Sequence, residues 1–369
     1  MRRNCLLSYA DINSFNHVLA HNLRSLYFRM CDILMPRDAG RYISERSKDV
    51  KIIDNGVQKV AMFMADCVRS GTYNIKSWKM HTLNPKVMDE NTLNWIFVTD
   101  TLNFSFWTED VNKKFKVKYN GEDYTGYWSL CAAINRALDK GIPFTNPEYF
   151  ANITKEQMTD VLRSDSDYDI PLFEERLTVL REAGRVLVEK YGGSVAKLVQ
   201  RCGKSAQTMM KQVVKDFSSY RDETEFEGQK VAIYKRVQIL IADIWACFEG
   251  QGYGEFHDID TITMFADYRI PQALLYFGAL QYSDELVEYL KTPHLLKSGD
   301  RYEVEIRGCS IWATELINKE TRKLLDADAA GKNLLVNSIL IDHYLWDYRL
   351  DHAGEMADLP LHKIRCIYY

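Results

Sequence analysis

Apolar side chains recur at helical spacing through most of this chain. Between residues 56 and 70, Val57, Val60, Ala61, Phe63, Met64 and Val68 fall close to one helical face, which predicts a helix packed on a core. Residues 127–140, followed by Gly141 and Pro143, read as a helix closed by a glycine cap and stopped by the proline. Further helices are predicted near 155–163, 172–191, 194–201, 205–216, 231–248, 271–278, 282–291, 310–326 and 332–347. A different pattern occupies residues 95–119. Residues 95–107 are dense in β-branched and aromatic side chains, and residues 114–119 alternate before Asn120-Gly121, a strong hairpin signal. A small sheet is predicted there. No β-α-β alternation, internal repeat or Pro- or Ser-rich linker is visible, so the chain reads as mainly α: a single α-rich domain with a small β element. The one glycine cluster, Gly250-Gln251-Gly252-Tyr253-Gly254, lacks the flanking strand and Lys-Ser/Thr of a phosphate-cradling loop and reads as a turn.

Composition narrows the class. With 369 residues, 46% of them hydrophobic, the chain can bury a large core. Its 8 cysteines form no C-x-x-C pair, which fits a reducing compartment and offers neither a disulfide framework nor a zinc site. The net charge of -4 and the lack of a basic block argue against a grip on long nucleic acid and leave a small molecule as the expected partner. No apolar run reaches the roughly 18 residues of a membrane span, and no obligate protein partner is implied. Residues 1–34 carry Arg2, Arg3, Arg24 and Arg29 against Asp11 and Asp32, a balance compatible with a mitochondrial leader. Met35-Pro36 reads as a fresh start, so residues 1–34 are expected to be an extension and residues 35–369 the domain. Cytoplasm is the expected location, with the mitochondrion as the alternative.

Candidate chemistry sits where charge interrupts apolar runs. Ile341-Asp342-His343-Tyr344-Leu345-Trp346-Asp347 places two carboxylates and an imidazole in a run that otherwise reads as a buried helix, and Asp267 lies just before Pro271. Unpaired buried carboxylates are costly, so these acids either pair structurally or face a polar cavity. The cavity is the expected answer. His343 and Asp347 are four apart and share a helical face, whereas Asp342 is turned about 140° from Asp347. The structural alternatives are an Asp347–Arg349 pair and a helix-capping or Arg269-paired Asp267. His17 and His21 lack the glutamate of H-E-x-x-H, and neither a metal nor a cofactor is expected. His81, in a loop beside Pro85, is by itself more often scaffold than ligand. Phe104, Phe106, Trp107, Tyr127 and Trp128 are able to stack on a base, yet aromatics at strand spacing are usually core. No G-x-S-x-G elbow occurs and Cys309 has no recognisable base, which leaves acid-based chemistry.

Several strings then match together. DTLNFSFW ending at Trp107, Gly126-Tyr127-Trp128-Ser129-Leu130, KRVQIL from Lys235, FADYRIPQ from Phe265 and IDHYLWD from Ile341 resemble the queuosine salvage family, in order from about residue 35 onward. The resemblance implies an α-rich fold related to helix-hairpin-helix DNA glycosylases. It also implies hydrolysis of the N-glycosidic bond of queuosine 5′-phosphate, releasing queuine and ribose 5-phosphate and salvaging queuine for tRNA modification. Asp347 matches the acid that acts as nucleophile or transition-state stabiliser, while His81, Phe265, Asp267, Asp342 and His343 match the base pocket. Asp267 and Asp347 remain exchangeable in role at this stage. The base is a 7-deazaguanine, with no N7 to protonate, so Asp267 is expected to read its guanine-like edge with Phe265 stacked on the ring. Its aminomethyl arm is protonated near neutral pH, and Asp342 is the expected partner. Lys235, Arg236 and Arg269 are candidates for the 5′-phosphate. Two alternatives stay open: a non-catalytic queuine- or nucleotide-binding protein, and a scaffold whose acids form internal ion pairs.

Overall fold

A computed structural model describes residues 33–110, 113–327 and 329–369. His17, His21 and residues 1–32 of the expected extension lie outside the described residues. Leu34, expected to fall in that extension, bridges Val231 in parallel, giving its carbonyl to the Ala232 N–H at 2.9 Å.

Helix α1 (Pro36–Ser44) starts on its proline, which suits a first helical turn. Strand β1 (Val50–Ile52) leads into α2 (Asp54–Ser70), closed by Gly71 at φ 71°. A 3₁₀ turn (Ile75–Met80) carries a capping box from Asn74 and Ser77. Next comes α3 (Glu90–Thr101), and here the sequence misleads. Residues 95–101, assigned to the sheet region by their β-branched and aromatic content, are helical. Asp89 caps α3 by accepting the Thr92 N–H at 2.9 Å, and Trp95 through Thr101 are all buried, so their content reflects enclosure on every side rather than a pleat. Residues 103–108 run on without regular structure.

The hairpin itself forms, β2 (Lys116–Tyr119) against β3 (Glu122–Thr125), with Asn120 and Gly121 at positive φ of 49° and 87°. Helices α4 (Tyr127–Asp139), α5 (Pro147–Ala151), α6 (Lys155–Val161), α7 (Phe173–Tyr191), α8 (Val195–Arg201) and α9 (Ala206–Asp216) follow. A second hairpin, β4 (Glu223–Phe226) with β5 (Gln229–Ala232), takes the start of the predicted 231–248 helix, so α10 runs Lys235–Cys247. Helix α11 (Ile270–Tyr276) and strand β6 (Leu280–Tyr282) come next, β6 pairing antiparallel with β1. That strand delays α12 to Asp284–Lys291. Helix α13 (Arg301–Asp326) begins nine residues earlier than predicted, and α14 spans Ser338–Asp351 rather than 332–347.

Two large hydrophobic cores form among the described residues, with two small clusters beside them. The larger gathers α3, α4 and α7–α10, and the other gathers α2, α11 and α13. Helix α14 belongs to both, Ile339 and Leu340 packing into the first and Ile341 and Leu345 into the second. The segment before α11 does the same, with Ile262 and Phe265 in one core and Met264 and Ala266 in the other. Polar side chains on these elements therefore meet at a seam. No helix among the described residues is long and apolar enough to cross a membrane.

Candidate active site

Helix α14 supplies most of the expected residues. Asn337 caps its start by accepting the Leu340 N–H at 3.1 Å. Asp347 then lies on the wall of a cavity of about 460 Å³ that Tyr73, His81, Trp128, Tyr344 and Asp351 also line. That volume is the size of a small-molecule site. Among the described residues, Asp347 pairs with no arginine. Its Oδ2 instead accepts the Tyr73 hydroxyl at 2.8 Å. The carboxyl is open on its own surface, yet the crowding around it raises its pKa above the ordinary carboxylate value. The Tyr73 hydrogen bond opposes that rise and the charge of Asp351 adds to it.

Across the cavity, His81 lies flat on Trp128, ring centres 3.3 Å apart and planes 6° from parallel. Its Nδ1 accepts the Leu83 N–H at 3.3 Å. Burial, with a smaller push from Lys86, lowers its pKa to about 4, so the ring is neutral at physiological pH. Trp128 continues into Tyr127 and Trp346 at 5.0 and 5.6 Å, forming an aromatic wall. Of the other expected aromatics, Phe104 and Trp107 are core, Trp107 donating its indole N–H to the Ile364 carbonyl.

A buried cluster stands behind this wall. His343, one turn before Asp347, sits 5.8 Å from the Phe265 ring. Burial lowers its pKa to about 4, so its 3.8 Å approach to Asp243 joins a neutral imidazole to a carboxyl rather than an ion pair. Asp342 is 4% exposed and its Oδ2 accepts the Phe265 N–H at 2.9 Å. Burial first, then Asp267, holds its pKa well up, against the pull of that hydrogen bond and of Lys235. Asp267 adopts the capping alternative with one oxygen, Oδ1 accepting the N–H groups of Arg269 at 2.7 Å and Ile270 at 2.9 Å. The segment carrying Phe265 and Asp267 is pinned twice more. Thr263 N–H donates to Gln238, and the Ala266 carbonyl accepts from Arg307 Nε at 2.8 Å.

The expected phosphate cations divide. Arg236 is a core strut, its guanidinium donating to the carbonyls of Thr101 and Ser219 under Phe104 and Tyr220. Lys235 is buried and donates to Asn103 at 3.1 Å. Arg269 stays partly open, sharing the Gln272 Oε1 with Arg349. The sequence reading missed Tyr73, Asp243 and Asp100. Asp243 carries the same signal that exposed Asp342, an acid inside the apolar run Ile241-Ala242-Asp243-Ile244. Tyr73 carries none.

A family model described as queuosine salvage protein matches residues 83–369. A Bos taurus protein named queuosine 5′-phosphate N-glycosylase/hydrolase is 50% identical over 92% of this chain and 100% of its own. Proteins of the same name from Schizosaccharomyces pombe and Sphaerobacter thermophilus are 42% and 35% identical, each over 89% of this chain and covering 97% and 96% of their own lengths. With matches of this extent, the chain belongs to the queuosine salvage protein family.

Proposed function

We propose that this protein hydrolyses the N-glycosidic bond of queuosine 5′-phosphate, releasing queuine for reuse in tRNA modification and leaving ribose 5-phosphate. The observation that carries this reading is Asp347 on the cavity wall, held by Tyr73 and, among the described residues, by no cation, in a chain 50% identical to a protein named for that reaction. Breaking the bond from C1′ to the base builds positive charge on the ribose, and a carboxylate at C1′ stabilises or traps it. Water then adds to C1′, and the proton it gives up passes to the glycosidic nitrogen of the departing base, which balances the reaction. Asp347 takes the C1′ role in place of Asp267, because one Asp267 oxygen is committed to the start of α11.

The base pocket in this reading lies between the His81–Trp128 stack and the Phe265–His343 pair. Phe265 stacks on the base, its position fixed by the Asp342 carboxylate on its amide. The free oxygen of Asp267 reads the guanine-like edge. Neutral His81 and His343 suit an uncharged ring system. Arg269 is the phosphate candidate, the one of the three expected cations that is not enclosed. Kinship of the fold to helix-hairpin-helix DNA glycosylases is part of the same proposal and is supported by the family resemblance and the mainly helical body.

The test is release of free queuine from queuosine 5′-phosphate, followed by mass-resolved chromatography. Turnover by the wild type and its loss in folded D347N establish the hydrolase. Ligand-induced thermal stabilisation without release from either protein would favour the non-catalytic binder.

A further inference from the structure

Behind His343 lies a pair of acids that the reaction as described does not use. Asp100, near the end of α3, is 0% exposed, and among the described residues its carboxyl oxygens have no hydrogen bond of good geometry, the Asn103 side chain being the one neutral donor that acts on them. Asp243, in the middle of α10, is 3% exposed and reaches 3.8 Å from His343 Nε2. Asp243 feels the charge of Asp100, and Tyr127 of the aromatic wall feels both. Lys235 is the one lysine acting on both, and it also faces Asp267 and Asp342. Four carboxyls thus converge on a single ammonium. Arg236 adds a second positive field at Asp100, but its guanidinium is committed to backbone carbonyls.

An arrangement of this kind is costly when empty. A buried carboxyl without a donor must either stay protonated or wait for a cation. Burial accordingly raises Asp100 to about 7 and Asp243 well above the ordinary carboxylate range. The place is also right. Asp347 and His343 share a face of α14 four residues apart, about 6 Å along the axis, and His343 leads on to Asp243. A base whose glycosidic nitrogen lies at Asp347 points its substituted edge along that line.

We infer that Asp243, backed by Asp100, forms the subsite for the protonated aminomethyl arm of the base, and so sets the preference for this base over neutral 7-deazaguanines. The inference rests on the proposed hydrolysis of queuosine 5′-phosphate. It replaces the expected pairing of Asp342 with that arm, since Asp342 already accepts the Phe265 amide. The groups around Asp243 are Asp100, Trp78, Lys235, Asp342 and His343. The ammonium displaces one proton from the acid pair to solvent, and the pair then carries one net negative charge against it.

The experiment compares kcat/KM of wild type, D243N and D100N on queuosine 5′-phosphate and on the analogue in which a neutral methyl replaces the aminomethyl arm. Asparagine copies the shape of a protonated aspartate, so both variants are expected to fold. D243N is expected to lose on the order of 100-fold on the cationic substrate while staying within about threefold on the methyl analogue. D100N is expected to show the same selective loss, smaller in size. Equal losses on both substrates, or no loss on either, would overturn the subsite. Absence of wild-type turnover on queuosine 5′-phosphate would instead sink the proposed reaction. An independent readout uses wild-type protein alone: calorimetry in buffers of different ionisation enthalpy should show about one proton released on binding queuine and none on binding 7-methyl-7-deazaguanine. Equal proton counts for the two bases would also overturn the subsite.

Discussion

Asp347 and Tyr73 make the sharpest case at the level of single residues. The Tyr73 hydroxyl stabilises the ionised form of Asp347, and in the proposed reaction only that form stabilises the positive charge building at C1′. Removing the hydroxyl leaves desolvation unopposed, so the Asp347 pKa rises further. In Y73F the acid limb of the kcat/KM profile should therefore move to higher pH, with a loss of about tenfold at the optimum. An unchanged limb would show that Asp347 is not the group that titrates. The D347N variant is expected to lose on the order of 10³-fold in kcat. Its stability should change the opposite way. A carboxyl whose folded pKa is raised destabilises the protein as pH climbs from its unfolded value through its folded one. D347N should then melt higher than wild type at pH 7, with the gap closing below about pH 4. A lower melting temperature would favour the scaffold reading. Much of this site was legible, because an acid inside an apolar run is visible without a structure. Asp342 and Asp347 were found that way, and Asp243 was open to the same test but was not singled out within the predicted 231–248 helix. Tyr73 was not legible, since its partner lies 274 residues away and a loop tyrosine has no distinguishing pattern.

Among elements, the segment before α11 depends on Arg307 in α13. This buried guanidinium donates to both oxygens of Asp222 at 3.0 and 2.6 Å, to Glu303 at 2.9 Å and to the Ala266 carbonyl, and it stacks on the Tyr369 ring. It thereby ties α13, the approach to β4 and the carrier of Phe265 into one unit. R307M would keep the volume and strand two buried acids without their cation. We expect a loss of about 3 to 5 kcal/mol in chemical denaturation, with queuine affinity falling in protein that remains folded. A loss under about 1 kcal/mol would mean that the network is not what holds the segment. Element by element, legibility followed locality. Hairpin β2–β3 announced itself through Asn120-Gly121, whereas β4–β5 makes the same positive-φ turn with Glu227-Gly228, a pair with no such statistical signal. Strands β1 and β6 pair across most of the chain and leave no local trace. Helix α3 failed for a different reason: a helix buried on all sides loses the 3.6-residue periodicity by which helices are read.

For the whole molecule, the seam between the two cores explains why polar chemistry survives in so apolar an interior. Packing on either side is satisfied by α14 and the 262–269 segment, and the acids occupy the line where neither core closes. At the start of the described residues, Leu34 lies beside β5 through its bridge to Val231 and hydrogen bonds to Lys230 and Ala232. The Bos taurus relative is matched over its full length by 92% of this chain, so part of the chain lies outside what the two share. Protein beginning at Ile33 is therefore expected to retain wild-type kcat/KM on queuosine 5′-phosphate within about twofold, with an unchanged melting temperature. Protein beginning at Met35 loses the Leu34 hydrogen bonds and should be less stable by about 1 to 2 kcal/mol, with its catalytic constants largely kept because the bridge sits on β5 rather than on the cavity wall. Paired denaturation and turnover measurements on the two shortened proteins separate these effects. If removing residues 1–32 alone abolished turnover, those residues would have to contribute to the site, and the account of a catalytic body built from α10, α14 and the segment between them would be incomplete.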